Sequence, residues 1–238
     1  MPSPLVALAP NVYRIPTRGD FINSFALVDA DRQVTLVDTG LRSAPRRIVA
    51  SLAAIGKRPQ DVTRIVLTHA HQDHAGGARR LLEETGLRGV AIHQADAAYI
   101  RTGRPPATDR TVTGGRLASR LPTGGFPAVE VSTELHDGQV LPIAGGLAVI
   151  HTPGHTPGHI SLLHQPTRVL ITGDALFNFR SRLSWSIGLY CTSVAQAKVS
   201  AARLADLDYG VVSFMHGPEL RTGGREAIRG FLRRESSA

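Results

Sequence analysis

Short runs dense in β-branched and apolar residues alternate with segments whose apolar positions recur every three or four residues, and the alternation persists to the end of the chain. VTLVDTG (34–40) has the character of a buried strand closed by a turn. SAPRRIVASLAAIG (43–56) predicts a helix, with Ser43 placed to cap it, Pro45 in the first turn and Gly56 as its stop. VTRIVLTH (62–69) predicts a second strand and GGARRLLEETG (76–86) a second helix ending at glycine, followed by a strand at 90–93 and a short helix at 95–101. Further strand-like runs fall at 129–135, 147–151, 160–164 and 168–172, then a helix at 194–206, a strand at 211–215 and a last helix at 223–234. The segment 102–127, with Pro105, Pro106, Pro122 and Pro127 and several glycines, has no period and predicts a surface loop or lid. Strands and helices occur in both halves without a linker. The expectation is therefore an α/β fold in one domain over 1–238, with two packed sheets and helices outside them.

Composition narrows the function classes. At 238 residues and 42% hydrophobic content the chain can bury a substantial core. No apolar run approaches the roughly 18–20 residues that span a bilayer, and the start MPSPLVALAPNVYRIP has neither a basic leader nor a long apolar stretch. No membrane partner and no export signal are expected, and a cytoplasmic location fits. Cys191 is the sole cysteine, so an internal disulfide and a cysteine zinc cluster are excluded, and any metal must fall to histidine and carboxylate. The net charge of +8 raises the question of nucleic acid. Yet 25 of the 27 basic residues are arginines scattered from Arg14 to Arg234 in runs no longer than two, and Arg225, Arg229 and Arg233 at four-residue spacing read as a solvated helix face. Nucleic acid is not the expected partner.

THAHQDHAGG (68–77) changes the picture, because it concentrates metal-competent side chains at one turn. His69 and His71 are two apart, so in extended backbone past a strand they point the same way and can hold one ion. Asp73 and His74 follow at the entry to a helix, where they can face a second. The alternative, a helix-capping Asp73 with solvated histidines, accounts for one residue of four. HTPGHTPGHISL (151–162) offers His151, His155 and His159, but Pro153, Gly154, Pro157 and Gly158 forbid a regular helix, so at most one or two of these are ligand candidates. RVLITGDALF (168–177) presents Asp174 at a strand end, and VVSFMHGPE (211–219) presents His216. His93, His136 and His164 have no such context.

With VDTG, THAHQDHAGG, HTPGHTPGH, TGDALF and HG in this order, nearly the whole chain resembles the metallo-β-lactamase-fold hydrolase superfamily, in its lactonase and glyoxalase II-like branch. The resemblance implies a four-layer αββα sandwich of two mixed sheets with metals at one edge. It implies that His69, His71 and His155 hold one ion, that Asp73, His74 and His216 hold the other, and that Asp174 bridges them. Asp38, ending LVDTG, would orient a ligand histidine, the alternative being a turn before the helix; His151 and His159 would be packing or outer residues. Two divalent ions, zinc by default with iron or manganese as alternatives, would activate a bridging hydroxide against an ester, lactone or thioester, and Asp73 would orient it and help to protonate the leaving group.

Departures from individual branches narrow the substrate. Class B1 β-lactamases carry cysteine where this chain has Asp174; glyoxalase II enzymes append a helical region, whereas 22 residues follow His216; and many acyl-homoserine lactonases carry tyrosine where this chain has Phe177. Persulfide dioxygenases with a single iron are an alternative, as is a metal-binding or nucleic-acid-associated homologue without hydrolase activity. LFNFRSRLSWSIGLY (176–190) gathers aromatic residues in a chain with 5% of them. Phe177, Phe179 and Trp185, with Phe21 and the 102–127 loop opposite, are the expected substrate pocket for a small molecule. Ordinary core packing or a homodimer contact is the competing use.

Overall fold

The computed structural model describes residues 5–112 and 124–236, so that 113–123, the middle of the expected loop, lie outside the described residues. The first sheet has seven strands in sequence order: β1 (Val6–Ala9), β2 (Val12–Pro16), β3 (Asn23–Val28), β4 (Val34–Val37), β5 (Val62–Val66), β6 (Val90–His93) and β7 (Val131–Leu135). β1 to β4 pair antiparallel, and β4 to β7 run parallel. The parallel steps need crossovers, which α1 (Pro45–Ala54), the short α2 (Gln72–Ala75), α3 (Ala78–Thr85) and α4 (Gln94–Thr102) supply. The second sheet contains β8 (Val140–Leu141), β9 (Leu147–His151), β10 (Ile160–His164), β11 (Val169–Ile171) and β14 (Val211–Ser213) in the order β14-β11-β10-β9-β8, with β11 and β14 parallel. β12 (Leu176–Phe179) and β13 (Arg182–Trp185) form a separate hairpin.

Strand alternation sorts the side chains into layers. On β3, Ala26 and Val28 face the cluster formed with Ile48 and Leu52 of α1, Leu81 of α3 and Ile100 of α4, while Phe25 and Leu27 face Leu147, Val149, Ile160 and Leu162 of the second sheet. The outer face of the second sheet packs Leu170 and Val212 against Ala201 of α5 (Val194–Ala201) and Ile228, Phe231 and Leu232 of α6 (Gly224–Ser236). These three apolar clusters are the interfaces of a helix–sheet–sheet–helix sandwich. Among the described residues no helix is long and apolar enough to cross a membrane.

Local chemistry sets most boundaries as expected. Gly86 and Gly103 take left-handed backbone (φ 77° and 68°) and end α3 and α4. Ser43 does not cap α1: the turn that starts it is already wound at Ala44 (φ −67°), so the serine lies one residue too early, and no side chain caps that end. Strands β1 to β3 and the β12–β13 hairpin were not distinguished by pattern. The hairpin turns on Arg180 and Ser181, both with positive φ (51° and 61°), without the Asn-Gly or Asp-Gly pair that usually announces such a turn.

Candidate metal centre

β5 ends at Val66 and its chain runs on through Thr68 to α2, delivering His69, His71, Asp73 and His74 at one edge of the sandwich. The β9–β10 turn brings His155 to the same edge, the β11–β12 turn brings Asp174, and the segment after β14 brings His216. Sheet one thus supplies four of the expected side chains and sheet two the other three. The backbone N–H of Ile160 donates to the Thr68 carbonyl at 3.0 Å and ties the two edges together.

The donor atoms converge. His71 Nδ1 lies 3.1 Å from His69 Nε2 and 2.9 Å from His155 Nε2. Around a tetrahedral ion with bonds of about 2.0–2.1 Å, neighbouring nitrogens stand about 3.3 Å apart, so this trio has nearly the spacing of one face of such a site. Asp73, His74 and His216 form a second trio, and His69, His74 and Asp174 a third, each with its donor atoms within 4.8 Å of one another. Asp174 lies between the sets, with Oδ2 at 3.2 Å from His155 Nε2 and 3.3 Å from His216 Nε2, and Oδ1 at 3.4 Å from His74 Nε2. His74 Nε2 and Asp174 Oδ1 are buried with no hydrogen-bond partner among the described residues. Buried polar atoms without partners are costly, and a cation between them removes the cost.

Outer contacts fix the ring orientations. Asp38, fully buried and in left-handed backbone (φ 58°), accepts from the Thr68 N–H (2.7 Å), the Thr68 hydroxyl (2.6 Å) and His74 Nδ1 (2.8 Å). Because the Thr68 hydroxyl donates to Asp38, its lone pair receives His69 Nδ1–H at 3.1 Å. One carboxylate therefore directs the Nε2 lone pairs of both His69 and His74 inward. His216 Nδ1 donates to the Phe21 carbonyl at 2.5 Å. His155 Nδ1 faces the buried Cys191 sulfur at 3.5 Å. His159 is not in the cluster: its Nε2 accepts the backbone N–H of Asp174 at 2.7 Å, and its Nδ1 donates to the Thr152 carbonyl. Burial, then the neighbouring His155, lowers the His159 pKa to about 3, as befits an acceptor ring. His151 stacks on His93 at 4.0 Å, away from the cluster, and His93 accepts from the Ala95 N–H to cap α4.

Charge balance within the centre is uneven. Burial, reinforced by the neighbouring histidines and only partly opposed by Asp174, holds the His69 and His71 pKa values well below the usual imidazole range. Burial is the largest single influence on His155 and opposes its charge, but the hydrogen bonds and charges of Asp174 and Cys191 together outweigh it and raise this pKa to about 9. Burial raises Asp174 too, yet His216 and His74 hold its carboxyl well below the ordinary carboxylate value. The site thus draws protons to balance Asp174, and a bound cation would displace them.

Asp96 escaped the sequence reading. It is fully buried at the first turn of α4; Oδ2 accepts from the Ala70 N–H (2.9 Å) and the Thr156 hydroxyl (2.6 Å), and Oδ1 from the Gly158 N–H (2.6 Å). It therefore clamps the His69–His71 loop to the His155 loop. The signal was present: Asp96 shares the buried face of α4 with Ala97 and Ile100, an acid on an otherwise apolar stripe.

A cavity of about 640 Å³ opens over the centre. His71, Asp73, His155, Asp174 and His216 reach it, and Phe21, Phe177 and Phe179 wall it together with Pro105, Pro106 and Thr108 of the segment expected opposite them. Trp185, expected in this pocket, is not among its lining residues. It pairs across the hairpin with Leu176, so alternation turns it to the face opposite Phe177 and Phe179; there it packs on Phe231 (5.0 Å between ring centres) and donates to Glu235.

Two packed sheets carry, at one edge and beneath an apolar cavity, a buried His/Asp cluster with the donor set of a metal centre. The chain belongs to the metallo-beta-lactamase superfamily, whose sequence profile matches residues 17–216. It is similar to the probable metallo-hydrolase YybB of Bacillus subtilis, with 31% identity over 87% of this chain and 83% of that protein. It is also similar to the acyl-coenzyme A thioesterase MBLAC2 of Gallus gallus, with 32% identity over 78% of this chain and 68% of the relative. Among solved structures, the metallo-beta-lactamase family protein TTHA1429 of Thermus thermophilus superposes with a TM-score of 0.73 at 27% identity, covering 97% of this chain and 81% of that one.

Proposed function

We propose that this protein is a binuclear metal-dependent hydrolase of a small ester, lactone or thioester. His69, His71 and His155 would hold one divalent ion, Asp73, His74 and His216 the other, with Asp174 shared between them. The observation that carries this reading is the pair of buried atoms without a hydrogen bond among the described residues, His74 Nε2 and Asp174 Oδ1, 3.4 Å apart at the meeting point of the trios. Zinc suits a His/Asp set of this kind. When bound, such ions acidify water from a pKa of about 15.7 toward 7 and polarise a carbonyl oxygen.

The chain's own residues supply the rest. Asp73 lines the cavity floor, where its carboxylate accepts a hydrogen bond from the attacking water, takes its proton, and returns one to the leaving oxygen or sulfur. Asp38, through Thr68 and directly, keeps His69 and His74 in the tautomer that presents Nε2. Phe177 and Leu41 line the cavity and exclude bulk water from the carbonyl. The thioesterase named among the relatives supports the thioester member of the substrate range.

Metal analysis of the purified protein, followed by a panel of lactone, ester, thioester and phosphodiester substrates, tests the reading. Two ions per chain and cleavage of a carbonyl substrate, lost in Asp174→Ala, are expected. One iron per chain with oxygen uptake on glutathione persulfide would replace it with the dioxygenase alternative.

A further inference from the structure

One wall of the cavity is formed by a stretch with little support of its own. Pro105, Pro106 and Thr108 line it, and Pro106 and Thr108 are buried. Proline has no backbone N–H, and among the described residues none of Pro105, Pro106, Ala107 and Thr108 takes part in a backbone hydrogen bond. The wall is hydrogen-bonded only at its ends. Upstream, the Arg104 N–H donates to the Tyr99 carbonyl at 3.2 Å, where α4 closes. Downstream, the bonds converge on Asp109. Its backbone N–H donates to the Cys191 carbonyl at 2.6 Å, its Oδ2 accepts from the Val194 N–H at 3.0 Å, and its Oδ1 accepts from the N–H and the hydroxyl of Thr111 at 2.9 and 2.6 Å. The segment that Asp109 grips is in turn fixed to the metal centre. Thr192 and Ser193 donate their N–H groups to the carbonyls of His155 and Gly154 at 3.0 and 2.8 Å, and the Ser200 hydroxyl donates to the Pro153 carbonyl at 2.7 Å. A Cβ on Gly154 would sit 2.1 Å from the Ala197 nitrogen, so α5 lies against the His155 turn with no space between them. The same segment sends Ile187 and Tyr190 to the cavity.

We propose that Asp109 is a positioning residue of the reaction: it holds the Pro105–Thr108 wall at a fixed distance from the His155 turn, and so sets where a substrate's organic chain lies over the centre. The inference rests on the hydrolase reading. Asp109 is not among the lining residues and acts through the wall that it anchors. Without the anchor, the wall must be ordered each time a chain binds, and that cost appears as weaker binding. His71, Asp73 and Asp174 at the reacting end keep their places, because the His155 turn retains its bonds to Thr192 and Ser193. A raised KM with kcat retained is the signature of lost binding that the ground state and transition state share.

Steady-state cleavage of p-nitrophenyl octanoate and S-octanoyl-N-acetylcysteamine tests it, beside calorimetric binding of the non-cleavable S-octyl thioether of N-acetylcysteamine, thermal unfolding, and zinc affinity by chelator competition. Asp109→Ala should raise KM about tenfold and weaken thioether binding by a similar factor, with kcat within about twofold and zinc affinity within about threefold of wild type. Asp109→Asn has one carbonyl oxygen, which can accept from Thr111 or from Val194 but not from both sides, and should fall between the two. Thr111→Val removes the hydroxyl donor alone and should move KM about two- to threefold. A general loss of stability would not reproduce that graded order at constant kcat, and the two milder variants decide the matter should the alanine variant fail to fold. Unchanged KM and thioether affinity in the folded variants would overturn the proposal and leave the hydrolase reading intact. A fall in kcat and zinc affinity at unchanged KM would also overturn it, by placing the effect on His155 alone. If wild type cleaves neither substrate nor any lactone, the hydrolase reading fails, and thioether affinity decides: graded weakening supports the anchored wall, and equal affinity removes it.

Discussion

Asp96→Asn is the sharpest probe of how the centre is held. The carboxylate accepts three hydrogen bonds, two on Oδ2 from the Ala70 N–H and the Thr156 hydroxyl and one on Oδ1 from the Gly158 N–H. An amide has a single carbonyl oxygen. If that oxygen takes the Oδ2 position, the NH2 group is aimed at the Gly158 N–H; if it is flipped, two donors are lost instead. A hydrogen bond to a charged group contributes about 1.5–3 kcal/mol, so at least that much is at stake. Burial, however, raises the Asp96 pKa, with the bonds from Thr156, Gly158 and Ala70 only partly offsetting it, so the ionised side chain itself costs stability that asparagine does not. The net loss of stability should therefore be modest, about 1–2 kcal/mol.

Metal affinity should respond more strongly than stability. Removing an outer partner of a metal site costs about 10–100-fold in affinity, and here one residue holds the loops of His71 and His155 together. Zinc affinity measured by chelator competition, beside urea unfolding of the metal-free protein, separates the two effects. Thr156→Val, which removes one of the three bonds, should fall between wild type and Asp96→Asn. The pH dependence has a defined sign. The folded pKa of Asp96 lies above 3.8, so the folded state binds this proton more tightly, and wild type should gain stability relative to the asparagine variant as pH falls through that raised value. Zinc affinity within about twofold of wild type, together with a clear loss of stability, would refute the clamp and reduce Asp96 to a packing residue.

Three further outcomes follow from the geometry. Gly173 has φ +58°, and a Cβ there would sit 2.5 Å from His159 Nε2, so Gly173→Ala should cost about 1–2 kcal/mol in backbone strain and lower kcat by displacing Asp174, as thermal unfolding and single-substrate kinetics would show. Phe179→Ala should change catalytic efficiency across acyl-chain lengths, whereas Trp185→Ala should leave the chain-length profile unchanged and lower the melting temperature through lost packing on Phe231; the opposite pattern would reverse the assignment of the two hairpin faces. Glu219→Gln should destabilise the fold by about 2 kcal/mol, because Arg14 is buried against it and would keep the exposed Asp20 as its one carboxylate partner among the described residues, beside the neutral Asn23 side-chain oxygen. Burial pushes the Glu219 pKa up, but its own backbone N–H and Arg14 outweigh this and hold it below 4.5; the stabilisation is therefore present at neutral pH and fades as pH falls through the folded value, so wild type and variant should converge in acid.

Much of this arrangement is legible in the chain because the chemistry is local. THAHQDHAGG places four of the clustered side chains within six residues, and the strand and helix periods around it set the layers. What the chain conceals is contact at long range. Asp96 reaches residues 26 and 62 positions away, and His159 reaches 15, distances over which a sequence pattern carries no geometry. The β12–β13 hairpin was hidden for a different reason: Arg180 and Ser181 adopt left-handed backbone that their residue types do not announce, and without the hairpin register Trp185 could not be separated from Phe177 and Phe179.

The two buried acids divide the work of holding the centre. Asp38 braces within the first sheet, setting the rings of His69 and His74 on one loop. Asp96 braces across the sheets, because Ala70 belongs to the loop after β5 while Thr156 and Gly158 belong to the turn between β9 and β10. An ion held by His69, His71 and His155 would span the same gap, so the carboxylate and the metal restrain one coordinate. Asp96 then shortens the distance that metal binding must close. That gives a physical reason to keep an ionised acid where burial disfavours it: its return is a preformed site rather than a more stable fold.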